Sequence, residues 1–142
     1  MEKTKTGSLV FKAMKRTPLK RKLPSVSSVR NKADALLTPI IKAAFPRCLL
    51  CSGETQVAHH FVHKSQSTRL RYEFDNLIPL CHKCHQALHH NEGFYASRIV
   101  AYKGVVWFQN LEKIKREIVK ADVHYFIGHL ERLKEKLKEL AQ

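Results

Sequence analysis

Two Cys-x-x-C pairs, and the histidines between and after them, carry most of the reactive side chains of this chain. Cys48-Leu-Leu-Cys51 and Cys81-His-Lys-Cys84 are separated by residues 52–80. Each pair presents two thiolates on one side of a tight turn, and two such turns complete a tetrahedron around Zn²⁺. Zinc prefers sulfur and has no redox chemistry, so a closed four-sulfur site is a structural staple rather than a reagent. Four unrelated thiols, or two redox pairs, fit the matched spacing poorly.

Seven of the nine histidines fall between His59 and His90. Hydrolysis of a phosphodiester would use them well. It needs a base that deprotonates water near neutral pH and a metal that stabilises charge on the phosphoryl and leaving oxygens. Imidazole, with an ordinary pKa of about 6.5, suits the first task, and His60 is the candidate base. In an extended strand His59 and His60 point to opposite faces, so one can bind metal while the other meets the attacking water if the strand is locally twisted. His85 and His89 are one helical turn apart and share a face. With His59 they supply three imidazoles to one divalent ion. His82 and His90 remain rivals on the same stretch, His90 for the place of His89. Asn76 precedes the apolar run 77–80, and its side-chain carbonyl is placed to accept a hydrogen bond from His60. Its plainer role is that of a turn residue. His63, His124 and His129 are read as ordinary polar residues.

The order His-His, Asn, then His after Cys-x-x-C resembles the HNH nuclease superfamily over residues 48–90. The resemblance implies an α+β protein with a ββα-metal, treble-clef-like core of two strands and a helix around one catalytic ion. It also implies His59 as first metal ligand, His60 as general base, Asn76 as the middle residue, and His85 and His89 as helix ligands. Cys48, Cys51, Cys81 and Cys84 match the zinc-stapled branch. The implied activity is metal-dependent DNA hydrolysis that leaves a 5′-phosphate. The ion would be Mg²⁺ or Mn²⁺, or another transition metal, which three imidazoles favour. A wider resemblance, carried by KRTPLKRK, CLLC, TRLRYEFDN and the helical tail, is to phage NinG/Rap-type recombination nucleases, which act on branched DNA. The His59-His60 pair departs from that group, where a small residue often precedes the histidine.

The elements that must position these groups follow from pattern and charge. Lys and Arg number 26 against 12 Asp and Glu, a net charge of +14. Such an excess attracts a polyanion, and DNA is the expected partner. Residues 1–32 hold ten Lys or Arg against Glu2 alone. With few large apolar groups, residues 1–31 read as a disordered basic arm. Lys15, Arg16, Lys20, Arg21 and Lys22 there, and Arg69 and Arg71 further on, are candidate phosphate contacts.

Residues 32–142 read as one domain: a helix over 32–45, the zinc and ββα core over 47–92, and a helical part over 93–142. Pro39 either kinks the first helix or starts a second one behind Thr38. Helices are predicted over about 94–102, ending at Gly104, then 106–120 and 122–140. The last carries Val123, Phe126, Leu130, Leu133, Leu137 and Leu140 as a seam, either packed on its own domain or forming a homodimer contact. No apolar run suffices for a membrane span and no secretory h-region is seen, which with four cysteines suggests a reducing cytoplasm, the host's if the chain is phage-encoded. Rival readings are a zinc-dependent DNA-binding module that does not cut, and a sequence-specific homing or restriction-type nuclease.

Overall fold

The computed structural model describes residues 21–142. Five helices surround a two-stranded antiparallel sheet, in the order α1 (Val26–Ala44), β1 (Val57–His60), β2 (Leu77–Leu80), α2 (His82–His90), α3 (Glu92–Lys103), α4 (Val105–Lys115) and α5 (Val123–Leu140). The class is α+β, as expected. Residues 1–20, with Lys15, Arg16 and Lys20 of the expected arm, lie outside the described residues, while Arg21 and Lys22 are exposed.

The first helix begins well before residue 32. Ser25 caps it, its hydroxyl accepting from the Ser28 backbone N–H at 3.2 Å, so residues 26–31 are helical rather than part of the arm. Pro39 sits inside one continuous helix and starts no second one. Thr38 is not a cap there; its hydroxyl accepts from the Ala58 N–H at 3.4 Å and ties the helix to β1.

One face of α1 buries Val29, Ala33, Leu37, Ile40 and Ile41 against Phe126, Leu130 and Leu133 of α5. The α5 seam is therefore covered from within the chain, with Leu137 and Leu140 packed at its edge. A homodimer through this helix would have to use another of its faces.

The four residues of β2 are all buried, because the strand is sandwiched. Leu77 faces the α1–α5 core, while Ile78 and Leu80 join Leu50, Leu88 and Ile99 in a second cluster under the zinc frame. Strand pairing sets His59 against Ile78 and His60 against Leu77. Asp122 caps α5 through the Tyr125 N–H at 2.9 Å, and Gly104, at φ 99°, breaks α3 from α4 in a conformation that L side chains resist. Among the described residues, no helix is long and apolar enough to cross a membrane.

Candidate active site

The four cysteines converge. Their sulfurs lie within 4.8 Å of one another, none is in a disulfide, and Cys51 Sγ is 3.6 Å from Cys81 Sγ. A zinc ion about 2.3 Å from each of four sulfurs would space them about 3.8 Å apart, so the cage fits that ion. Backbone N–H groups already face the sulfurs. Gly53 N donates to Cys51 Sγ at 3.4 Å, and Cys84 N to Cys81 Sγ at 3.3 Å, which makes Cys81 the cap of α2. That hydrogen bond draws the Cys81 thiol down to about 7, whereas burial pushes the Cys84 thiol up. The frame thus joins the 48–51 turn to the start of α2 and sets where the helix points.

That direction brings α2 against β1. The rings of His59 and His85 lie 5.2 Å apart by centroid, and those of His59 and His89 6.1 Å. His85 Nε2 and His89 Nε2 are 3.0 Å apart. Two imidazoles about 2.1 Å from one ion, at a right angle, would sit about 3.0 Å apart, so this pair suits a shared cation. Among the described residues, the cysteines alone bring three or more donor atoms within 4.8 Å of one another; His59 stands further off than that. Its chemistry still suits a ligand. Burial, then the neighbouring His85, His63 and His89, push His59 down to about 3, so its ring is neutral with a free lone pair. Burial also lowers His85.

These residues wall a cavity of about 250 Å³, whose polar lining is His59, His60, His63, Lys64, His85 and His89. Among the described residues, no carboxylate lines it. His82 and His90 do not line it. Val57, Ala58, His59 and His60 of β1 all border it.

His60 meets a different partner from the one expected. Its Nε2–H donates to the Arg71 backbone carbonyl at 2.8 Å, which leaves Nδ1 as the ring's open lone pair. Burial lowers the pKa of His60, partly offset by that carbonyl. Asn76 makes no hydrogen bond to it. Fully buried, Asn76 accepts from Val62 N at 2.7 Å and donates to the carbonyls of Val62 (3.0 Å) and Leu70 (3.2 Å). It is a staple across the segment between the strands.

Arg69 and Arg71 are not free phosphate contacts. Arg71 grips Asp34 of α1 through two hydrogen bonds, and Arg69 is held by Glu73 and Glu117. His63 and Lys64, in contrast, belong to the cavity although the sequence singled out neither as a site residue. His63 is joined to Glu92 at 2.5 Å, and Lys64 makes no ion pair among the described residues. Their only signal was closeness to His60, in a loop whose course has no periodicity to read.

Residues 47–91 match the family model described as HNH endonuclease. No curated protein and no solved structure matches the chain. The matched segment contains the four cysteines, both strands and all of α2. HNH domains in general carry a nuclease or DNA-binding role, and the four cysteines here are placed to hold a metal ion.

Proposed function

We propose that this protein is a metal-dependent DNA endonuclease with His60 as its general base. The observation that carries this reading is the state of His60. His60 borders a cavity that no carboxylate lines among the described residues, and its Nε2–H is committed to a backbone carbonyl. Nδ1 is then the nitrogen that takes a proton from water beside the phosphate. A depressed pKa keeps that nitrogen unprotonated near neutral pH.

His59, His85 and His89 would hold a divalent ion, which supplies Lewis-acid stabilisation of charge on the phosphoryl and departing 3′ oxygens. Because all three ligands are neutral, none of the ion's charge would be cancelled by them. Lys64 adds a cation in the same wall and attracts the scissile phosphate. His60 attacks no bond itself; it holds the water in line and takes its proton, and cleavage leaves a 5′-phosphate. Asn76 keeps the strand-connecting segment in place.

Substrate preference is a finer proposal: branched or recombination-intermediate DNA, supported by the resemblance of the basic segment and tail to phage recombination nucleases. The test compares linear duplex, a fixed four-way junction and single-stranded DNA, each with Mg²⁺, Mn²⁺ or chelator. Metal-dependent cutting that is strongest on the junction is expected. DNA binding without cutting under any of these conditions would favour a non-catalytic binding module, and cutting at one defined sequence a homing or restriction-type enzyme.

A further inference from the structure

We propose that the Asp34–Arg71 ion pair is a positioning device for His60, through which helix α1 aims the ring of the base from outside the HNH segment. The inference rests on the reading of His60 as base. It starts from the carbonyl that receives His60 Nε2–H. Arg71 lies in an irregular stretch between the strands, so no sheet ladder fixes its backbone. Turn hydrogen bonds run from Arg71 N–H to Thr68 O and from Glu73 N–H to Leu70 O, each at 3.2 Å, and three consecutive carbonyls are also held by side chains. Asn76 Nδ2 donates to Leu70 at 3.2 Å, His60 Nε2 to Arg71 at 2.8 Å, and Arg132 Nη2 of α5 to Tyr72 at 2.9 Å.

The Arg71 side chain secures the middle one. Its Nε donates to Asp34 Oδ1 at 2.9 Å and its Nη2 to Asp34 Oδ2, a two-point grip that fixes orientation as well as distance. The two side chains are only 14% and 21% exposed. A guanidinium so shielded and neutralised is poorly placed to meet DNA. Asp34 in turn sits on α1, whose far face is locked against α5. Burial alone would raise the Asp34 carboxyl, but the Arg71 guanidinium holds it below the usual carboxylate range. The pair is therefore charged throughout the working range of pH. A misplacement of about 1 Å at a reacting group costs up to roughly a hundredfold in rate. Loosening this grip should act on that scale, with no change in how DNA is held.

The test uses the full zinc-loaded chain with Asp34→Asn, Arg71→Gln, the double variant and Asp34→Glu. It measures kcat and KM for DNA cleavage with Mn²⁺, and the ¹⁵N signals of the His60 ring in the manganese-free protein. Expected is a fall in kcat of about tenfold to a hundredfold in each neutral single variant, no further fall in the double, and unchanged KM. The ring signal should move from a single Nε2–H tautomer to a mixture. Arg71→Gln raising KM while Asp34→Asn lowers it would overturn the proposal, since Arg71 would then be a phosphate contact. Folded variants with unchanged kcat and ring signal would overturn it too. If the neutral variants fail to fold, Asp34→Glu decides: the ring signal shifts if the grip matters and stays if it does not. Full cleavage by His60→Ala would instead remove the base reading, while the ring signal would still report the positioning.

Discussion

His59 and His60 are neighbours in the chain but differ in what surrounds them. His59 is 7% exposed and faces other imidazoles, while His60 is tied to a carbonyl. The His59 shift has a sign that can be tested. Its pKa is about 3 in the folded protein against 6.5 ordinarily, so the folded form binds fewer protons. Its contribution is complete above about pH 6.5 and is lost as pH falls from there towards 3. The thermal midpoint of zinc-loaded protein without added metal should therefore drop between pH 6.5 and 4, and His59→Asn should flatten that part of the profile in calorimetry. Asn76→Ala leaves buried partners unpaired and should cost about 2–4 kcal/mol in denaturant unfolding. At this scale the types and order of the candidate residues could be read from the sequence, but their hydrogen-bond partners could not. Nothing in the spacing of His60, Arg71 and Asn76 says that the arginine's backbone, not the asparagine's side chain, receives the imidazole proton. Asp34, 26 residues before His60, gave no local sign that it would claim Arg71.

The elements divide into a metal-held half and a packed half. Without zinc the 48–51 turn and the start of α2 lose their common anchor, since the cluster of Ile78, Leu80, Leu88 and Ile99 is small. Chelation should abolish cooperative unfolding of the core and with it the approach of His85 and His89 to His59, as followed by amide hydrogen exchange along α2. The α1–α5 pair depends on packing instead. Leu133→Ala opens a fully buried position and should cost about 2–5 kcal/mol while leaving zinc stoichiometry intact. The helices after residue 92 were legible because three- and four-residue periodicity and Gly104 mark them. The start of α1 was not, because Ser27, Ser28, Arg30 and Asn31 look like linker while only Val29 on that turn is buried. Four-residue strands gave no pattern of their own, and β2, buried on both faces, lacks the alternation that would mark it.

At the scale of the molecule, a net charge of +14 accompanies a cavity that no carboxylate lines among the described residues. Residues 1–20 contain six Lys or Arg. Removing them should weaken DNA binding about equally across sequences and flatten its salt dependence, a result that titration at several ionic strengths would read directly. Catalysis per bound complex should be unaffected if, as proposed, the basic segment contributes attraction and the core contributes chemistry. This separation makes the central claim open to one direct measurement: cleavage and binding of labelled DNA by the full chain and by His60→Ala, with Mg²⁺ or Mn²⁺ present. Unchanged binding and unchanged zinc content are expected for His60→Ala, with a cleavage rate reduced roughly a hundredfold to ten-thousandfold. Full cleavage by His60→Ala would contradict the claim and return the base to another group in the cavity.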